Sequence, residues 1–383
     1  MAATASTGRV ALLAAVDQLA PEIRRSAGAA ERARTMPPEL ARRFAEAGLF
    51  RMSVPTEYGG TRTELSAQLD VIEAIARVDA SAGWCVMIAC TTSVLSGHLD
   101  DRVCTEVFGA DPLASACGVY APKGEAIPVE GGYRVSGRWS FASGCRHSAW
   151  RLGGAVVASA DGPQVRLMIF PAEDTVVHDT WHVAGLRGTG SHDLEVEDAF
   201  VPDARAIDPA LGTPTREGLL YRIPLFGFLA AEVAAVALGV ARASIDAFVD
   251  MATSKVPASG RRTLAERGTI QALVAEAEAS YRAGRVFLHQ AVRAGEARLA
   301  RGEALGPEDR LEFRLAANHA VRSSAAAVDA VYRAGGGSSL YEACPLERRF
   351  RDMHAITQHG MVGLGVDELC GRALLGQRVS GQL

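Results

Sequence analysis

The side chains of this sequence most able to bind a metal or attack a substrate are nine histidines and seven cysteines. His354 and His359 are the only histidines five apart, a spacing that does not bring both squarely onto one helical face, so no metal pair is expected. Cys85, Cys90, Cys104, Cys117, Cys145, Cys344 and Cys370 are odd in number and contain no C-x-x-C pair. They read as buried, inert thiols of a protein kept reduced, as in the cytoplasm. Gly185-Leu186-Arg187-Gly188-Thr189-Gly190 has its glycines in the wrong places for a dinucleotide loop, and there is no P-loop, H-E-x-x-H or G-x-S-x-G. With 40 basic against 44 acidic side chains, no basic excess exists to displace counterions from a nucleic acid.

The elements that must position any site change period twice along the 383 residues, a length that implies two or three subdomains. Residues 1–112 read as a helical domain. Val10, Leu13, Val16, Leu19 and Ile23 give one stripe, Pro37-Pro38 opens a helix that Gly48 closes, and Leu65, Leu69, Ile72 and Ala76 give another. From 113 to 212 the period is two, as in Tyr133–Ser136, Arg138–Phe141, Val165–Phe170 and Asp193–Val196, which predicts a small β domain. From 213 to 383 four alanine-rich segments, Ala231–Met251, Gly268–Gly302, Pro307–Ala334 and Pro345–Leu375, predict a four-helix bundle. The fold class is therefore α+β, mostly α. The most apolar run, Leu225–Ala241, is shorter than the ~20 residues that span a bilayer and contains Glu232, so it reads as a buried helix. Met1–Arg9 has no basic patch before an apolar run, so no signal peptide is expected.

Three motifs in this order resemble the acyl-CoA dehydrogenase fold over nearly the whole chain. They are Val54-Pro55-Thr56-Glu57-Tyr58-Gly59-Gly60, then Gly185–Ser191 followed by Phe200-Val201-Pro202, then Gly335-Gly336 through Pro345-Leu346-Glu347-Arg348-Arg349-Phe350-Arg351-Asp352. A dehydrogenase of that family needs a carboxylate base, most often nine positions after the arginine of the R-D pair. Here that position is Gly360, beside His359, and Glu232 does not fall at the offset of the family's alternative base. The family's R-x-x-F-G flavin motif is also replaced, by Ser259-Gly260-Arg261-Arg262-Thr263-Leu264.

Ser136-Gly137-Arg138-Trp139-Ser140-Phe141-Ala142-Ser143-Gly144 and Phe350-Arg351-Asp352 with His359 instead resemble the two-component flavin monooxygenases built on this fold. That resemblance implies the oxygenase component of such a pair, a homotetramer that receives reduced FAD or FMN from a separate flavin reductase. With O2 the flavin forms a C4a-hydroperoxide, which hydroxylates a small phenolic, indolic or polycyclic substrate; nitrogen and sulfur oxidation use the same chemistry. It implies Ser143 as a hydroxyl near the flavin and His359 as the base that takes the substrate proton. Trp139, Phe141, Trp181, Arg187, Gly336 and Gly337 are the implied flavin contacts, with Arg261 and Arg262 for its phosphate, and Trp84 and His98 line the substrate cavity. Plainer readings stand beside these: a surface histidine, a turn serine, core aromatics and a solvated basic linker. An acyl-thioester dehydrogenase and a non-catalytic member of the fold are the rival readings.

Overall fold

The computed structural model describes residues 2–158, 162–257 and 260–379, with side chains from Gly8 onward. In chain order the helices α1 (Ala2–Ala33), α2 (Pro38–Glu46), α3 (Leu65–Val78), α4 (Ala80–Ser93) and α5 (Asp101–Cys104) come first. The strands follow: β1 (Ala116–Val129), β2 (Gly132–Ala142), β3 (Trp150–Val157), β4 (Gln164–Pro171), β5 (Val176–His178), β6 (His192–Pro202) and β7 (Ala206–Ile207). Then come α6 (Leu225–Ser254), α7 (Gly268–Ala300), α8 (Pro307–Gly335), α9 (Pro345–Ile356) and α10 (Leu364–Leu374). The described strands all fall inside the stretch where the sequence period is two. Compactness groups the chain differently from the three consecutive segments. One unit is Met1–Glu64, Trp84–Val183 and Arg187–Arg222; the other is Leu65–Gly83, Ala184–Leu186 and Ile223–Leu383.

In the first unit α1 buries Leu12, Val16, Leu19 and Ile23, spaced four, three and four so that they share one face, while Val10 stands exposed. The seven strands form one mixed sheet in the order β5-β6-β2-β1-β3-β4-β7, antiparallel except for the β1–β3 pair. Trp139 on β2 is the centre of the sheet's core. Its ring lies in a hollow floored by Gly124, Gly137 and Gly153, where an added Cβ would stand 2.5–2.6 Å from ring or backbone atoms, and its Nε1 donates to the Gly154 carbonyl at 2.7 Å. A buried indole thus gains both packing and its one hydrogen bond.

In the second unit α6, α7 and α8 are the long bundle helices. At Gly239 a Cβ would lie 2.5 Å from the Glu73 carbonyl, so glycine lets α3 and α6 touch backbone to backbone. The helix runs beyond the apolar stretch to Ser254, so α6 is 30 residues long and, like Ala80–His98, meets the length and composition of a membrane span; its apolar window is nonetheless 83% buried in protein, as expected of a core helix. The fourth predicted bundle helix is also two: α9 stops at Ile356 and α10 starts at Leu364, with Gly360 and Gly363 in the turn between.

Two of the sequence motifs meet in this unit. Arg351 binds Glu347 one turn earlier and the Ala184 carbonyl, and the buried Asp352 carboxylate accepts the Leu186 N–H at 2.6 Å. A Cβ on Gly185 would lie 2.1 Å from the Arg351 carbonyl oxygen. Gly185-Leu186 and Arg351-Asp352 therefore meet in one close backbone contact. Gly185→Ala should lower unfolding stability by about 1–3 kcal/mol in denaturant titration; an unchanged midpoint would show that the contact carries no packing constraint.

Candidate functional site

In the first unit the candidate residues gather where β2 ends. Phe141 there adopts φ +71°, a region that bulky residues rarely occupy, and its ring stays 70% exposed with its edge against Trp181 at 6.1 Å. Two residues on, Ser143 turns inward and is buried. Its Oγ accepts the indole N–H of Trp84 at 3.0 Å and shares a 2.6 Å hydrogen bond with Ser191 Oγ, which shares another of 2.6 Å with Thr189 Oγ1. The Gly144 N–H donates to the Thr189 carbonyl at 2.9 Å, tying the same two loops through their backbones. An indole N–H only donates, so the Ser143 oxygen must accept, and its own proton goes either to Ser191 or outward to a ligand. Arg187, at the start of the Arg187–Thr189 turn, has a buried Nε with no hydrogen-bond partner.

In the second unit His359 lies in the turn after α9 rather than on a bundle helix. Its Nδ1 accepts the Met361 N–H at 3.3 Å. Burial, and behind it the charge of Arg314, push the imidazole down to about 4, so it is neutral at pH 7. Arg314 is itself held in place by the Phe226 carbonyl at 3.2 Å and the Met361 sulfur at 3.5 Å. With Nδ1 accepting, the neutral ring carries its proton on Nε2. Gly360 is exposed, and Glu232 is wholly buried on α6 with both oxygens unpartnered and its carboxyl raised well above the usual range by burial. Arg261 and Arg262 are exposed, just before the Thr263–Glu266 capping box that starts a short 3-10 turn. Gly336 and Gly337 follow α8, Gly336 at φ +58° in the cap.

The structure brings Trp84, Ser143, Phe141 and Trp181 together in the first unit. It overturns one expectation there. Trp139 is sheet core with no ring surface left for a cofactor, because its glycine hollow closes around it. His98 ends the Val94–His98 turn, where burial lowers its pKa against a partial counter-effect from the Tyr221 backbone. Thr189 and Ser191 back Ser143, and Arg314 acts on His359, contacts for which the sequence alone assigned no role; the Thr-Gly-Ser end of the Gly185–Ser191 motif was the available signal for the first two.

Family models agree with this arrangement: the acyl-CoA dehydrogenase N-terminal domain matches residues 10–101 and the C-terminal domain residues 231–363. The chain is 33% identical to the FADH2-dependent resorcinol hydroxylase oxygenase component of Rhizobium sp., over 97% of this chain and 96% of that one. It is 31% identical to the flavin-dependent monooxygenase oxygenase subunit HsaA of Mycobacterium tuberculosis, over 91% of each. The chain belongs to the flavin-dependent monooxygenases of the acyl-CoA dehydrogenase fold. Among solved structures of this family, XiaF from Streptomyces sp. in complex with FADH2 and glycerol superposes with a TM-score of 0.93 at 27% identity, covering 98% of both chains.

The residues present fit a flavin of this family. Phe141 and Trp181 offer aromatic surface, the Ser143 hydroxyl is already polarised by Trp84, and the orphaned Nε of Arg187 supplies an unused cationic donor. Ring-proton NMR titration of His359 should give a midpoint near 4 and a neutral ring at pH 6; a midpoint at or above 6 would contradict the burial described here.

Proposed function

We propose that this protein is the oxygenase component of a two-component system that hydroxylates a small aromatic substrate, phenolic or indolic, using reduced FAD or FMN delivered by a separate reductase. A reduced flavin, when bound, activates O2 and supplies the oxygen atom. The chain's own residues orient, shield and move protons. Phe141 and Trp181 present apolar surface that keeps water from the reacting atoms. Ser143 is the hydroxyl donor, held by Trp84 on one side and backed by Ser191 and Thr189 on the other. Arg187, with Arg261 and Arg262 presented by a neighbouring subunit and Gly336 and Gly337 giving close backbone approach, binds the anionic part of the cofactor.

His359 is the substrate-orienting residue. A neutral Nε2–H donating to the substrate's phenolic oxygen stabilises the negative charge that makes the ring nucleophilic, and burial, with the charge of Arg314 behind it, keeps the imidazole from becoming a cation. We place the protein in the cytoplasm as a homotetramer working away from membranes and nucleic acid. The observation that carries the reading is the buried Trp84–Ser143–Ser191–Thr189 chain beside an aromatic ring left exposed at a positive φ. Gly360, exposed where an acyl-thioester dehydrogenase carries its carboxylate, disfavours that rival.

With a flavin reductase, NADH, FAD and a panel of phenols and indoles that includes resorcinol and indole-3-acetate, product should form only when reductase is present. His359→Asn should lower kcat for that product by about 100-fold or more while the fold persists. A wild-type rate in His359→Asn would remove His359 from the reaction. Flavin retained through purification, together with reduction of an artificial acceptor by acyl-CoA, would replace the whole reading with dehydrogenation.

A further inference from the structure

Away from this chemistry, the second unit buries a cluster that the sequence could not reveal, because its members come from α3 and α7. Asp70 and Glu73 sit three apart on α3, and Arg285 and His289 four apart on α7, so each pair shares a helical face. Asp70 and Glu73 side chains are 7% and 10% exposed, and His289 is 5% exposed. Two buried carboxylates face one guanidinium: Arg285 binds Glu73 at 2.8–2.9 Å and Asp70 at 2.9 Å. The other neighbour, Tyr281, donates to Glu73 at 2.7 Å and brings no charge.

His289 is the second observation. Neither ring nitrogen has a hydrogen-bond partner, and Nε2 is aimed at both carboxylates, 3.8 Å from Asp70 Oδ1 and 3.8 Å from Glu73 Oε2. That is too long for a hydrogen bond, which closes at about 2.7–3.2 Å. Two ligand atoms of one tetrahedral first-row divalent cation, each about 2.0–2.2 Å from it, stand about 3.3–3.6 Å apart, so the ring and carboxylates need to close by only a few tenths of an ångström to share one. The ligand atoms of all three residues lie within 4.8 Å of one another.

We propose that Asp70, Glu73 and His289 form a binding site for a first-row divalent cation of the zinc type, which cross-links α3 to α7 and competes with Arg285 for the same carboxylate oxygens. One imidazole with two carboxylates suits such an ion, and its double charge balances theirs. The Arg285 side chain is 36% exposed, so it can swing to solvent when the ion enters. The site is separate from the oxygenation chemistry and uses none of its residues.

The test is calorimetric titration of ZnCl2 into EDTA-treated, dialysed protein, with visible absorption of Co2+ as a second readout of coordination. One ion per chain is expected, with a rise in melting temperature at saturating Zn2+. Asp70→Asn and His289→Gln should each weaken binding about tenfold or more, since even outer-shell partners of a metal cost about 10–100-fold. Arg285→Gln removes the competitor and should tighten binding about tenfold. No binding by the wild type and by Arg285→Gln, or equal affinity in Asp70→Asn and His289→Gln, overturns the site. Should either ligand variant fail to fold, Arg285→Gln still decides: weaker binding in it than in the wild type refutes competition.

Discussion

A buried indole N–H cannot accept and cannot be left alone, so Trp84 needs an oxygen at hydrogen-bond distance, and Ser143 is the one that provides it. That requirement fixes more than one side chain. To put Ser143 there, β2 has to end in a turn that carries Phe141 through a left-handed conformation and leaves its ring outside. To satisfy the rest of the serine, the Thr189–Ser191 loop has to come alongside, which it does through the Ser143–Ser191 hydroxyl contact, backed within the loop by Thr189, and the Gly144–Thr189 backbone bond. Losing one hydroxyl of the chain leaves a buried donor unsatisfied, at about 1–3 kcal/mol, so the loops hold one another in a single arrangement.

The second unit solves a related problem with small residues. Gly239 lets α3 lie against α6, and Gly185 lets the G-L-R turn sit on the backbone of Arg351. Asp352 closes that contact through the Leu186 N–H. Its burial and the neighbouring Asp79 push its carboxyl up to about 7, against that hydrogen bond and the charges of Arg348 and Arg351. The same burial logic governs His359. A histidine buried beside a guanidinium stays neutral through the physiological range, and a neutral ring whose Nδ1 is already accepting carries its proton on Nε2.

Much of this was legible in the sequence because it is periodic or local. The change from helical to alternating spacing near 113 and back near 213 brackets the described strands, and the proline and glycine around α2 mark its ends. The serine after Phe141 and the histidine beside Gly360 could be singled out by motif. Other features were not legible, because they arise from packing between distant segments. Trp139 reads as a possible cofactor contact until three glycines from β1, β2 and β3 are seen to form its hollow. The fourth bundle segment reads as one helix, since alanine-rich spacing does not announce a break that Gly360 and Gly363 make locally. The Asp70–Glu73–His289 cluster spans more than two hundred residues, beyond the reach of any spacing rule.

The central claim is that the Ser143 hydroxyl, held by Trp84 and Ser191, protects activated oxygen until it reaches the substrate. It is tested most directly by the ratio of hydrogen peroxide released to NADH consumed in coupled turnover of wild type and Ser143→Ala. A sharp rise in that ratio in the variant, at unchanged reductase supply, is the predicted result. An identical ratio in the two proteins would contradict the account.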